Sequence, residues 1–403
     1  MSATREAVNL DPAAFTRWCE DEVYTPAIRR GTEILERVCD LHLLELHREL
    51  GIAPMLATPR TAREVADQLG FEASAHIALE ALLTRLAERT GVVSVEQGPP
   101  ARFQARADVP DGTAELTALR SAMAELGPGF VVALEFLEFG RAHFVTALRD
   151  DPGMMDRVLS GADAENYPLW ARATNADPMQ DLHGQMGAGA ITELFPGGTI
   201  LEIGGGTGNG IRHLFDVLQA RGTLDRVERY IFTDVSPRFI LGTRRAIREA
   251  YPSVACDWKY LDINKPFSIQ GIEPDSVDLI YGVNAAHVAK DIVGMLRDCR
   301  AALRPGGRVV FAERVRGRPS AMAARELTLN LSRYHRTAAQ RHSAYRAAHA
   351  YLSPRCWLSG LEQAGFRDAA IHPDLEVIQR VFPEQYAAVV TGVRGCGRLG
   401  RDA

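Results

Sequence analysis

The stretch Gly198-Thr199-Ile200-Leu201-Glu202-Ile203-Gly204-Gly205-Gly206-Thr207-Gly208-Asn209-Gly210 decides the fold. Thr199 to Ile203 is a short β-rich run, and Ile211 to Leu218 opens a helix. Glycines at a strand-to-helix turn let the backbone curl tightly and approach a ligand closely. Taken alone the loop is weak evidence. Its G-x-G-x-x-G spacing is traced only loosely, and a dinucleotide site or a purely structural turn would also use it.

The residues downstream turn the loop into a pattern. Tyr230-Ile231-Phe232-Thr233-Asp234 reads as a second strand ending in an acid, which can accept both hydroxyls of a ribose. Trp258-Lys259-Tyr260-Leu261-Asp262 ends a third strand, and Val277-Asp278-Leu279-Ile280-Tyr281 is a fourth. Arg304-Pro305-Gly306-Gly307 turns into a fifth, Arg308 to Glu313. Helical segments separate these strands, so the expected fold class is α/β: a parallel, doubly wound sheet with right-handed crossovers.

This series resembles the class I methyltransferases that depend on S-adenosylmethionine (SAM), over residues 186–395. The resemblance implies a Rossmann-like, seven-stranded domain. Asp368 to His372 and Tyr386 to Thr391 would be its last two strands, one of them antiparallel. It implies that Glu202, Gly204, Gly206 and Gly208 line the methionine and ribose portions of SAM. Asp234 would hold the ribose hydroxyls, Asp262 would face the adenine amine, and Asn284 would lie beside the sulfonium. NAD binding, the rival reading, leaves the Pro-Gly-Gly turn and Glu313 unexplained.

Tyr281 to Ile292, Phe232 to Phe239 and Leu261-Asp262-Ile263 look like the corresponding segments of the C-methyltransferase domains of polyketide synthases. In that family a His and a strand-end Glu form a dyad, which maps here onto His287 and Glu313. Both fall at the carboxyl edge of the expected sheet, where open α/β sheets bind ligands. An imidazole with an unperturbed pKa near ~6.5 suits proton removal, and a carboxylate on its other nitrogen fixes the tautomer. The same logic serves O-methyltransferases, so the dyad alone does not choose carbon over oxygen.

One segment departs from that family. Its domains carry a tryptophan-rich stretch after the fifth strand, whereas residues 325–350 here hold Arg325, Arg333, Arg336, Arg341 and Arg346 and no Trp. His335, His342 and His349 recur every seven residues, one face of a helix but too far apart along its axis to share a metal. The segment reads as a solvated basic helix face or as a clamp for the phosphate of a phosphopantetheine arm or coenzyme A. Tyr334, His335 and Arg336 are candidate substrate contacts.

Upstream, Ile34, Leu35, Val38, Leu41, Leu43, Leu44 and Leu46 recur at helical intervals. Thr61 with Glu64 is a capping-box signature, and a second amphipathic helix runs from about Ala75 to Arg89. Val92 to Val95 and Arg102 to Ala105, with Gly98-Pro99-Pro100 between them, read as a hairpin. Helix, short helix, helix and hairpin is a winged-helix order. It resembles the dimerisation domain of small-molecule O-methyltransferases, which implies a homodimer. Arg85 and Arg89 are the only base-reading candidates on the second amphipathic helix, which is thin for DNA recognition. From about Asp111 to Glu193 the chain is helical and aromatic in places (Phe130, Phe136, Phe139, Phe144, Tyr167, Trp170), either a connector or a lid over a substrate pocket.

The expected organisation is a winged-helix-like domain at 1–110, a helical connector or lid at 111–185 and the SAM-binding domain at 186–403. The chain's 403 residues, 46% of them hydrophobic, suit two or three domains. A net charge of −5 argues against a general binder of nucleic acid or anionic membrane. No zinc-type cysteine spacing, secretory leader or membrane-length apolar run is evident, so reduced thiols and a cytoplasmic location are expected. The leading function is C-methylation of an activated carbon in a small-molecule or carrier-bound polyketide-like acyl intermediate. The alternatives are O-methylation of a phenol or hydroxyl, and a catalytically dead, SAM-sensing DNA-binding regulator.

Overall fold

The structure is a computed structural model that describes residues 10–316, 322–337, 351–384 and 387–395. Seven strands form one sheet: β3 (Gly198–Glu202), β4 (Val227–Asp234), β5 (Cys256–Tyr260), β6 (Val277–Val283), β7 (Leu303–Arg314), β8 (Phe366–His372) and β9 (Ala387–Arg394). Their order is β5-β4-β3-β6-β7-β9-β8. The first five are mutually parallel, and β9 runs antiparallel to both β7 and β8. The chain winds outward from β3 to β5, then returns to start β6 on the other side of β3. That reversal opens a crevice at the carboxyl ends of β3 and β6.

The sheet is α/β and Rossmann-like, as expected, with two differences of detail. Strand β5 stops at Tyr260, so Asp262 lies two residues beyond it. The Arg304-Pro305-Gly306-Gly307 turn is absorbed into β7 as an irregular start, where the register against β6 shifts between Val277 and Leu279. Tyr386 lies outside the described residues, and the last strand is described from Ala387.

Alternate residues along the buried strands face two separate cores, because side chains on a strand alternate sides. Ile200, Leu279, Tyr281, Val310 and Val389 face the N-terminal helices, while Leu201, Ile280, Phe311 and Val390 face the helices Ile292–Ala302 and Pro354–Gln363. The N-terminal part therefore packs directly onto one face of the sheet.

That part contains the helices Pro26–Glu49, Ala62–Gln68 and Ala75–Arg89, followed by the hairpin of β1 (Val93–Glu96) and β2 (Arg102–Ala105). Both halves of the Thr61/Glu64 capping box are formed. The apolar helical set is consumed inside the chain: Ile34, Leu35, Val38, Leu41, Leu43, Leu44 and Leu46 are all core residues. They offer nothing to a second copy. Between Thr113 and Leu194 the chain is helical, and Phe136 and Phe144 are buried while Tyr167 and Trp170 stay half-buried. Among the described residues no helix is long and apolar enough to cross a membrane. Cys19, Cys39, Cys256, Cys299 and Cys356 are free thiols.

Of the two arginines weighed for DNA contact, Arg85 is internal and Arg89 lies at the surface, tied to carboxylates. Arg85 is 2% exposed and donates to Glu36 (2.6 Å), Asp40 (2.7 Å) and the carbonyls of Glu36 and Met322. Arg89 bridges Asp40 and Glu384, both at 2.8 Å. Removing one member of a buried ion cluster strands the others without a partner. Arg85→Met should therefore lower unfolding free energy by about 3–5 kcal/mol. Urea titration measures this, and a loss below about 1 kcal/mol, the range of a surface pair, would show that the cluster carries no weight.

Candidate active site

The glycine loop sits where β3 ends. Gly204, Gly206 and Gly208 have φ of 58°, 54° and 84°, a region that side chains disfavour. At Gly205 the constraint is space: an added Cβ would lie 2.2 Å from the Phe232 ring. Gly205 N–H donates to the Thr233 carbonyl (2.9 Å), and Gly206 N–H donates to Asp234 Oδ2 (2.9 Å). From outside, Thr207 Oγ1 donates to Asn175 Oδ1 (2.9 Å). The loop is thus tied to β4 on one side and to the helix Tyr167–Asn175 on the other.

Asp234 ends β4 with its carboxylate at the crevice. Its Oδ1 accepts from Ser236 N–H (2.7 Å), and burial pushes its pKa up. Each oxygen keeps a free lone-pair direction for a hydroxyl donor. The next residue, Val235, is 53% exposed, an apolar surface beside a carboxylate. Tyr167 stacks on Phe239 (5.8 Å between centroids) and lies beneath the Arg238 guanidinium (4.2 Å), which brings the helical segment over this edge. Asp262 Oδ1 accepts from Asn264, and Lys265 lies 3.4 Å from Oδ2. This set of a glycine loop, a strand-end carboxylate and an exposed apolar neighbour fits an adenosyl group.

Glu202 departs from expectation. It lies beneath the loop rather than at its surface, 1% exposed, with Oε2 accepting from Tyr230 OH (2.9 Å). An added Cβ at Gly210 would meet Glu202 Oε1 at 2.3 Å, so the helix Asn209–Ala220 starts directly above this carboxyl. Glu202 holds the loop from below. Burial pushes its pKa from 4.5 up to about 8.

The second cluster lies at the ends of β6 and β7. Asn284 has φ 48°, and its Oδ1 accepts from Arg314 N–H (2.8 Å) while its buried Nδ2 finds no partner. Glu313, at 0% exposure, accepts through Oε1 from Ala285 N–H (3.1 Å) and Ala286 N–H (2.8 Å). Its Oε2 lies 2.7 Å from Nδ1 of His287, which sits on the short turn Ala286–Val288. The Glu313 carboxylate facing Nδ1 assigns the Nδ1–H tautomer, which makes Nε2 the basic nitrogen of His287. Residues 26 positions apart are thereby brought into contact.

Within residues 322–337, Arg325 and Arg336 are internal, whereas Arg333 is exposed beside Glu72 (3.3 Å). Arg325 is buried, donating to Asp177 (2.7 Å) and the Ala173 carbonyl (2.9 Å) and stacked over Phe136 (4.9 Å). Arg336 was a candidate substrate contact, but its side chain is fully enclosed. It donates to Glu72, to Ser74 Oγ (2.9 Å) and to the Leu331 carbonyl (2.7 Å). A guanidinium taken out of water needs such partners, which explains the correction. Tyr334 and His335 do approach the cluster: Tyr334 OH donates to the Val288 carbonyl (2.5 Å), and buried His335 lies 3.9 Å from Glu326. Arg341, His342, Arg346 and His349 lie outside the described residues.

Two residues of the cluster carried no signal in the sequence. The ring of Tyr351 packs between His287 (4.9 Å) and His335 (5.6 Å). His183, on the helix Pro178–Leu194, is 2% exposed with Nδ1 on the Gln180 carbonyl (3.0 Å), and burial pulls its pKa down to about 3. Neither belongs to a spacing pattern, since each is delivered by packing.

Residues 201–309 match a family model described as a methyltransferase domain. Among solved structures the chain is similar to the CurJ carbon methyltransferase, at 19% identity and TM-score 0.71 over 96% of this chain and 100% of that one. It is also similar to the DszA carbon methyltransferase (20%, 0.70, 96% and 94%) and the citrinin polyketide synthase CMeT domain (15%, 0.69, 95% and 95%). At these identities the likeness establishes the fold. Among curated proteins, the highly reducing polyketide synthase resH of Aspergillus sclerotiorum is 33% identical over 147 residues, 34% of this chain and 6% of that protein. Highly reducing polyketide synthase PKS6 of Gibberella zeae is 31% identical over 174 residues, 43% of this chain and 6% of that one. The chain matches only a small fraction of the length of these relatives.

The buried Glu202 carboxyl generates a test of the loop's support. A carboxyl whose pKa is higher in the folded than in the unfolded chain favours the protonated fold. Its contribution is full below pH 4.5 and is lost as pH rises toward about 8. The melting temperature of the ligand-free chain should therefore fall across this window, and Glu202→Gln should flatten the fall. An unchanged slope in the variant would mean that Glu202 is already ionised in the fold.

Proposed function

We propose that this chain, an enzyme with a methyltransferase domain and S-adenosylmethionine as its cofactor, methylates an activated carbon of a polyketide-like acyl intermediate. The 2.7 Å contact between Glu313 and His287 at the carboxyl edge of the sheet supports a base for methyl transfer, and the choice of carbon rests on the likeness to polyketide synthases. SAM supplies an electrophilic methyl group on a sulfonium. The protein's own tasks are then alignment and the making of a nucleophile. Holding both partners in line is worth roughly 7–11 kcal/mol of barrier in favourable cases.

In this reading Gly204, Gly206, Gly208 and Asp234 hold the methionine and ribose portions, Asp262 serves the adenine, and Asn284 lies beside the sulfonium. Glu202 acts through the loop. His287 takes the proton from the acceptor carbon through Nε2, and Glu313 orients the ring and stabilises the imidazolium. The helices and hairpin of residues 26–105 are read as a winged helix that serves as a wall for the acceptor site. The carrier-bound form of the acceptor is supported by the relatives, which are named as polyketide synthases. O-methylation of a phenol uses the same dyad, and comparing β-ketoacyl thioesters with phenols as acceptors separates the two. A DNA-binding regulator is less well supported, because Arg85 is buried against Glu36 and Asp40 and Arg89 is paired with Asp40 and Glu384.

Two outcomes test the assignment. Asp234→Ala should weaken S-adenosylhomocysteine binding by roughly 1.5–3 kcal/mol in calorimetry, the worth of a hydrogen bond to a charged group, with the fold intact. Unchanged affinity would remove Asp234 from the cofactor site. His287→Ala should leave that affinity unchanged while lowering turnover by roughly 10²–10⁴. Glu313→Gln should lose less, since an amide still holds the ring. Full turnover in His287→Ala on a β-ketoacyl thioester would eliminate the base.

A further inference from the structure

Removing a proton from a carbon beside a carbonyl moves an electron pair onto the carbonyl oxygen. A buried site must offer that oxygen a donor, because an unpaired charge in a low-dielectric interior is costly. The dyad supplies a base but no such donor, since both Glu313 oxygens are occupied by His287 and the amides of Ala285 and Ala286.

Tyr351 is placed to provide it. Its ring lies 4.9 Å from the His287 ring on one side and 5.6 Å from the His335 ring on the other, and the residue is 8% exposed. Its hydroxyl makes no hydrogen bond to any described residue. The charged groups facing it are Arg314, Arg325 and Arg316 against the single carboxylate Glu326. Arg325 and Arg316 are paired, to Asp177 and Glu326. The guanidinium of Arg314 makes no ion pair among the described residues and contributes positive charge near the phenol.

We propose that the Tyr351 hydroxyl is the hydrogen-bond donor that receives the acceptor's carbonyl oxygen as His287 removes the neighbouring proton. The inference rests on the C-methylation reading and adds the residue that stabilises its intermediate. The acceptor C–H proton passes to His287 Nε2, and the electron pair settles on the oxygen as an enolate. Tyr351 donates its O–H without giving the proton up. The enolate carbon then takes the methyl group as the carbon–sulfur bond breaks, and His287 returns its proton to solvent. Burial pushes the Tyr351 phenol up to about 12, so it stays a donor throughout the working range. His335 acts as a positioning residue that keeps the phenol ring against His287. The substrate class that follows is a β-dicarbonyl-type acyl group, whose enolate needs such a donor.

The test follows the proton with the whole chain. Acetoacetyl N-acetylcysteamine thioester is incubated in deuterated water with S-adenosylhomocysteine, and exchange of its C2 protons is read by NMR. The wild type should accelerate exchange, and His287→Ala should abolish the acceleration. Tyr351→Phe keeps the ring between the two imidazoles and removes only the donor. It should slow both exchange and kcat by roughly 10²–10³, the usual effect of losing one oxyanion donor, with KM and S-adenosylhomocysteine affinity unchanged. Wild-type exchange in Tyr351→Phe overturns the role of Tyr351 and leaves the base standing. Loss of S-adenosylhomocysteine affinity in that variant makes Tyr351 structural and also overturns it. A wild type that exchanges nothing overturns the C-methylation reading together with this inference.

Discussion

A carboxylate with no access to water must be surrounded by donors, and Glu313 satisfies that constraint with two backbone amides and one imidazole. The amides belong to Ala285 and Ala286, the second and third residues past β6, so the turn after that strand cannot move without stranding the buried carboxylate. The same turn carries His287. The position of the imidazole is therefore fixed by the ladder of β6 and β7, a rigid scaffold, and not by loop conformation. Asn284 reinforces the arrangement by bonding back to the Arg314 amide at the end of β7.

A second set of buried charges organises the other wall of the site. Arg85 ties the helix Pro26–Glu49 to the Met322 carbonyl, and Ala324 N–H returns to Glu36 (2.9 Å). Arg325 reaches Asp177 at the start of the helix Pro178–Leu194, and Arg336 reaches Glu72. Thr328 Oγ1 donates to the Phe136 carbonyl (2.8 Å), a close approach that Gly140 permits, since an added Cβ there would lie 2.2 Å from the same oxygen. The segment that follows β7 is thus gripped by N-terminal helices at several points. Its Tyr334 and His335 then stand against the turn of His287. The N-terminal region packs against this segment, and Arg85, which looks like a nucleic-acid contact in the sequence, is internal in the fold.

The amino-acid sequence by itself determined the sheet and the loop, whereas the pairing of His287 with Glu313 came from the family resemblance and their contact is made by the fold. Sheet and loop are encoded locally: β-rich runs ending in Glu202, Asp234 or Glu313, glycines at positions with positive φ, and a capping box at Thr61. The tertiary structure decided what each charged side chain is for. A list of arginines cannot tell a solvated face from an internal ion pair, because the difference is the distance to carboxylates such as Glu36, Asp177 and Glu72, which lie far away along the chain. The apolar set Ile34 to Leu46 has the same ambiguity, since periodicity announces a buried face without saying what buries it. Tyr351 and His183 reach the site by packing alone. Only the folded sheet, with its N-terminal helices laid on one face, brings them beside His287.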